Sequence, residues 1–114
     1  LIATGTAAAQ IVEIQWDKDN RFHYEGEVPA GKALEICDKL TKNQVLKWQF
    51  TGAAALNFNI HYHDDKAVVF PAKQDNVAKL GDTLIVPVDQ DYCWMWKNLT
   101  PAPVTLQLQI QLLE

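Results

Sequence analysis

The stretch Tyr92-Cys93-Trp94-Met95-Trp96-Lys97-Asn98, followed after a short loop by Val104-Thr105-Leu106-Gln107-Leu108-Gln109-Ile110-Gln111-Leu112, decides how the chain is built. The second run alternates apolar and polar residues without a break. Only a β-strand, whose side chains point to opposite faces at a period of two, turns that pattern into one apolar face and one wet face. The first run places Tyr92, Trp94 and Trp96 on one face and Cys93, Met95 and Lys97 on the other. Two indoles on one short strand belong to a core, so this pair of strands closes a β-sandwich.

Working outward, the rest of the chain reads as strands with brief punctuation. Residues 11–16 alternate in part, and Asp17 to Asn20 form a polar turn. Residues 21–28 follow, ended by Pro29-Ala30-Gly31, and 33–37 make another strand. In 44–51 the inward side chains are Leu46, Trp48 and Phe50. Gly52-Ala53-Ala54 then separates this strand from 55–63, where Leu56, Phe58, Ile60 and Tyr62 face in while Asn57, Asn59, His61 and His63 face out. Asp64-Asp65-Lys66 turns into 67–70 as a hairpin, 71–80 is mixed, and 83–88 is a strand ending near Pro87. Eight to ten short strands without an amphipathic helix predict an all-β, antiparallel β-sandwich of jelly-roll-like type, one domain over residues 10–114.

The bulk properties bound the function. A chain of 114 residues has room for one self-sufficient core. Its formal charge of −4 and pI near 5.2 argue against nucleic acid and anionic membranes, which select a basic footprint. No apolar run approaches the roughly 18–20 residues of a membrane span. The opening LIATGTAAA, apolar and small up to Ala9, reads as the end of a secretory signal, with a flexible terminus as the bland alternative. Cys37 and Cys93 form neither a redox CxxC nor a zinc-finger spacing. In an exported protein, periplasmic or secreted, one structural disulfide is the default. Both cysteines have outward parity, so they can bridge neighbouring strands.

Two parts of the chain carry a family resemblance. One is Val45-Leu46-Lys47-Trp48-Gln49-Phe50 with Phe58-Asn59-Ile60. The other is the aromatic strand from Tyr92 to Asn98 with the alternating strand after it. From Ala33 to Leu112 this pattern resembles the Golgi-dynamics (GOLD) domain, a β-sandwich of secretory-pathway cargo receptors. Some members carry a disulfide between an early strand and the aromatic strand, and Cys37 with Cys93 resembles that pair. The second cysteine usually falls nearer the asparagine, and the stretch from Phe58 to Phe70 departs from the GOLD pattern. The resemblance implies a binding or adaptor module without catalysis, and names no ligand.

The sharpest chemical motif is His61-Tyr62-His63. Residues i and i+2 of a strand share a face roughly 6.5–7 Å apart, so two imidazoles can converge on one ion, with Asp64 or Asp65 as an oxygen donor. Imidazole suits copper, zinc and nickel, and an outward Met95 on the same sheet adds a thioether for Cu(I). His23 is a further candidate ligand. The bland reading makes both histidines wet-face residues beside Asn57 and Asn59. Enzymatic readings fare poorly: the chain has no serine, its five glycines are scattered, and a disulfide abolishes a cysteine nucleophile. Asn98-Leu99-Thr100 has the form of a glycosylation sequon, though so short a motif arises readily by chance. Trp48, Trp94 and Trp96 have core parity, whereas Trp16 lies at a strand end. Any indole left exposed beside the outward Asn and Gln residues makes a carbohydrate- or peptide-binding face. The chain is therefore expected to be an exported, non-enzymatic binding module. It either holds copper or zinc through His61, His63 and Met95 or, as an adaptor or accessory subunit, binds a protein partner through an exposed sheet face.

Overall fold

The computed structural model describes residues 10–113; the segment 1–9, on which the export-signal reading falls, lies outside them. Seven strands make up the described chain: β1 (Gln10–Glu13), β2 (Arg21–Val28), β3 (Ala33–Leu40), β4 (Val45–Asp64), β5 (Ala67–Ile85), β6 (Gln90–Lys97) and β7 (Val104–Leu112). The expected eight to ten short strands become seven because the segments around Gly52 and around 71–80 do not interrupt the chain. They continue it as two long strands of 20 and 19 residues.

All seven strands belong to one sheet, in the order β1-β3-β6-β4-β7-β2 with β5 beside β4. The pairings are antiparallel except one: β1 runs parallel to β3, Gln10 opposite Leu34 through Glu13 opposite Cys37, which corrects the all-antiparallel expectation. The first half of β4 pairs with β7, from Leu46 opposite Leu112 to Gly52 opposite Leu106. Its second half pairs with β6, from Asn57 opposite Lys97 to His61 opposite Cys93. One strand thus serves two layers. Strand β5 follows β4 through both, forms the outer edge, and pairs with β4 alone.

The change of layer has a local cause. Between Thr51 opposite Lys79 and Leu56 opposite Val77, residues 52–55 of β4 face the single Ala78 of β5. Such a bulge bends and twists the longer strand. A Cβ on Gly52 would lie 2.8 Å from the Ala54 carbonyl oxygen, so the crowded backbone requires glycine there. A second irregularity sets Asp75 and Asn76 against Asn57. Asn76 takes a φ of 55°, and its N–H donates to Asn57 Oδ1 at 2.9 Å. Pro71 is tolerated because an edge strand need not donate on its outer side.

Folding the sheet over itself brings inward side chains of its two halves together. Trp48 lies 5.0 Å from Phe58 between ring centroids, Phe50 4.7 Å from Phe58, and Phe50 5.5 Å from Trp96 in an edge-on contact. Trp94, Trp96 and Tyr92 are fully buried, as are Leu106 and Leu108 of the alternating last strand. Full burial of a large apolar side chain contributes roughly 1.5–3 kcal/mol, so this interface dominates stability. The result is an all-β sandwich made from one curled, mixed sheet.

The loop after β6 is pinned by Asn98, which is completely buried. Its Nδ2 donates to the carbonyls of Val28 (3.0 Å) and Ala102 (2.8 Å), and its Oδ1 accepts from the N–H and the hydroxyl of Thr100 (2.9 and 2.8 Å). An amide so enclosed cannot serve as a glycan acceptor, and Asn98-Leu99-Thr100 is a structural loop lock. Removing it strands buried carbonyls at roughly 1–3 kcal/mol each. Asn98→Ala is expected to lower the urea unfolding free energy by about 3 kcal/mol; a loss within error of zero would mean that the loop is held otherwise.

Candidate functional site

The layer β1-β3-β6-β4-β5 presents an outer face on which the register aligns two rows. One runs Glu13, Cys37, Cys93, His61; the other runs Ile11, Glu35, Met95, Asn59, Lys73. Cys37 and Cys93 are directly opposed, with Cα atoms 4.1 Å apart, and form the expected disulfide. The Cys37 carbonyl accepts from Ile14 N–H on the β1 side. Toward β6 it therefore makes a non-hydrogen-bonded pair, the closer of the two antiparallel pair types. The bridge closes 56 residues of chain, worth about 4 kcal/mol in the chain-entropy account.

His61 stands next along that row, yet it is only 6% exposed. Opposite it, β5 carries the extra pair Phe70-Pro71, and the Phe70 ring sits 6.1 Å from the imidazole. Nε2 of His61 lies 3.3 Å from Glu35 Oε1, and Nδ1 lies 2.7 Å from Asn59 Oδ1. Burial holds its pKa below the usual 6.5; the Glu35 carboxylate pulls the other way, and His63 adds to the depression. Lys73 lies 5.0 Å from the centroid of the half-exposed Phe70. Among the described residues, Glu35, His61 and Cys93 have their ligand-type atoms within 4.8 Å of one another, with the Cys93 sulfur engaged in the disulfide.

His61, His63 and Met95 share this face, with Met95 opposite Asn59, two residues along β4 from His61 and four from His63. The two imidazoles are 5.4 Å apart and perpendicular, and Met95 lies half-buried between Glu35 and Asn59. Asp64 follows His63 at the opposite parity, paired with Ala67 and exposed. His23 is not part of this group. It lies opposite Gln109 on the outer face of the other layer, on the far side of the sandwich. Glu35, which shares the outward parity of Cys37 on β3, is the partner of His61 that the sequence pattern does not pair with it.

The opposite outer face is a polar trough. A depression of about 500 Å3 is lined by Arg21, His23, Lys47 and the outward glutamines, and it continues across Gln49 and Gln109 into a second of about 440 Å3 that reaches Lys79. Its glutamines partner each other and their neighbours: Gln49 donates to Gln109 at 3.1 Å and Arg21 to Gln111 at 2.7 Å. The exposed-indole reading is corrected here. Trp48, Trp94 and Trp96 are all buried, and Trp16 is half-buried with its indole N–H donating to Asp38 Oδ2 at 2.7 Å. Every indole is engaged in or against the core, with Trp16 partly exposed beside Asp38.

No family model matches the sequence, and no curated protein matches it at a significant level. Solved structures do. The chain is similar in fold to PliG, a periplasmic lysozyme inhibitor of g-type lysozyme, from Aeromonas hydrophila. The TM-score is 0.68 at 11% identity, over 91% of this chain and 96% of that one. Salmonella Typhimurium PliG gives 0.67 at 14%, over 92% and 99%. The Yersinia pseudotuberculosis-derived mitogen gives 0.62 at 13%, over 82% and 86%. At these identities the likeness is one of fold.

The depressed His61 has a consequence for pH. Its folded-state pKa lies below the unfolded value of 6.5, so the unfolded chain binds the proton more tightly. This stability is complete above pH 6.5 and is lost as pH falls through the folded pKa. Thermal unfolding followed from pH 7.5 down to pH 5 should show a falling Tm, and His61→Gln should flatten that fall. An unchanged slope in the variant would remove His61 as its source.

Proposed function

We propose that this chain is an exported, non-enzymatic protein-binding module of inhibitor type. The observation that carries this reading is the extent of the likeness to the PliG structures, which takes in more than nine-tenths of both chains in each comparison. The Cys37–Cys93 disulfide fits an oxidising compartment. The absence of serine and the oxidised state of both cysteines leave no serine nucleophile and no free thiol for a triad. The GOLD resemblance leads to the same class of binding module. The first partner to test is a g-type lysozyme, because that is the enzyme named for the PliG structures. Lytic activity titrated with the purified protein should fall to a plateau at one equivalent, and added salt should weaken the effect if the charge of −4 steers association. Undiminished lysis at excess protein, with no complex by gel filtration, would sink the lysozyme reading.

A second reading is favoured by the shared face of His61 and His63, with imidazoles 5.4 Å apart, and of Met95. In this reading a copper or zinc ion sits between them. What opposes it is that His61 Nε2 faces Glu35 and Nδ1 faces Asn59, neither of them a donor of this set, and that Met95 stands four residues along the register from His63. Equilibrium dialysis of the oxidised protein against Cu and Zn, with a His61→Ala/His63→Ala control, tests it. Stoichiometric metal lost in the control supports the site; equal uptake by both proteins removes it.

A further inference from the structure

The row that carries the disulfide has the composition of a metal centre in which one bond has been made between two of its ligands. Cys37 and Cys93 oppose each other across β3 and β6, and His61 opposes Cys93 across β6 and β4. Glu35 lies two residues from Cys37 on the same face. The Glu35, His61 and Cys93 ligand atoms are mutually within 4.8 Å, and Cys37 Sγ is bonded to Cys93 Sγ. Zinc bonds to sulfur at about 2.3 Å and to nitrogen or oxygen at about 2.0–2.2 Å, which puts ligand atoms in a tetrahedral shell roughly 3.3–3.8 Å apart. The Glu35, His61 and Cys93 atoms need to close by only about 1 Å, while Cys37 Sγ, which lies outside that group of three, must part from Cys93 Sγ and turn inward once their bond is broken.

The orientation of His61 is the second, independent observation. Its Nε2 faces the Glu35 carboxylate, 3.3 Å away. Its Nδ1 is 2.7 Å from the Asn59 side-chain oxygen. A metal-bound histidine typically donates its other ring N–H to a carbonyl or carboxylate, which fixes its tautomer. Asn59 is placed to accept that proton. His61 is only 6% exposed and the Phe70 ring at the β5 irregularity lies 6.1 Å away, so this orientation is packed in place.

We infer that reduction of the Cys37–Cys93 disulfide converts this row, together with Glu35 of the neighbouring row, into a zinc site with Cys37, Cys93, His61 and Glu35 as its four ligands and Asn59 as the acceptor that orients His61. The chemistry balances with a dithiol as reductant. The dithiol gives two electrons and two protons and becomes a disulfide, and the Cys37–Cys93 bond breaks to give two thiols. Zinc then displaces both thiol protons to solvent and binds the thiolates. Two thiolates, an imidazole and a carboxylate match the four-coordinate preference of Zn2+. The two forms are mutually exclusive, because the oxidised row has no thiolate to offer. This site requires neither His63 nor Met95, which separates it from the histidine-pair reading, and it is independent of any protein partner.

The test uses the whole chain reduced with dithiothreitol, freed of it under anaerobic gel filtration, and titrated with Co2+ as a spectroscopic probe and then with Zn2+. The reduced protein should take up one Co2+ with the visible d–d and thiolate charge-transfer bands of a tetrahedral sulfur-ligated ion, and Zn2+ should displace it. The oxidised protein should show none. His61→Ala and Glu35→Gln should each weaken binding by at least about 10-fold, while His63→Ala and Met95→Leu leave it unchanged. A natively folded reduced protein without thiolate–Co2+ absorption overturns the site, as does unaltered affinity in His61→Ala. Should reduction unfold the chain, Zn2+ must restore the tryptophan near-ultraviolet circular dichroism, and a chain that stays unfolded with Zn2+ overturns it equally. Lysozyme inhibition is measured separately on the oxidised protein, so either idea can fail alone.

Discussion

The packing of Trp48 and Phe50 against Phe58 and Trp96 is the contact on which everything else rests. These side chains belong to strands of a single sheet, and they meet only because β4 bends between Thr51 and Leu56. Without the bend, the apolar faces of the two halves would remain side by side, each open to water. With it, β4 presents Leu46, Trp48 and Phe50 in one layer and Leu56, Phe58 and Ile60 in the other, all buried. Backbone pairing supplies the continuity and aromatic packing supplies the closure. A sandwich built this way needs no separate association of two sheets.

The same bend decides what lies outside. Because side chains alternate, every inward aromatic commits its neighbours to an outer face. On β6 the inward Trp94 and Trp96 fix Cys93 and Met95 outward; on β4 the inward Ile60 and Tyr62 fix His61 and His63 outward. The two outer faces acquire different characters. One is a polar trough of glutamine and basic side chains. The other concentrates the disulfide, the imidazoles, a carboxylate and the half-exposed Val68 and Phe70. His61 is the exception on its face, outward in parity yet buried, because Phe70 at the β5 irregularity covers it.

What the sequence revealed and what it hid follow from the range of each interaction. Alternation is local, so the inward and outward sets on β4, β6 and β7 were legible from Leu46, Trp94 and Leu106 and their neighbours. The pairing of Cys37 with Cys93 was legible because only two cysteines exist. The continuity of β4 was not. Gly52-Ala53-Ala54 has the small-residue composition of a turn, and whether it turns or bulges depends on Ala78 across the ladder. For the same reason Glu35 could not be matched with His61, since the match runs through the registers of β3 with β6 and β6 with β4. Asn98 was hidden differently: its motif has a familiar chemical meaning that burial cancels.

Strand β5 carries its own consequence. Nineteen residues of strand pair on one side only, spanning both layers. A straight edge of that length would be a template for strand addition by a second copy. It is broken up instead. Register shifts interrupt it near Pro71 and Asn76, Pro71 withholds a donor, and Lys73, Lys79 and Asp82 set charges along the remaining runs. The irregularities that aim Phe70 over His61 and fold the sheet also break up the edge a second copy would need, so the form of that edge and the shape of the imidazole face are set by the same few backbone residues.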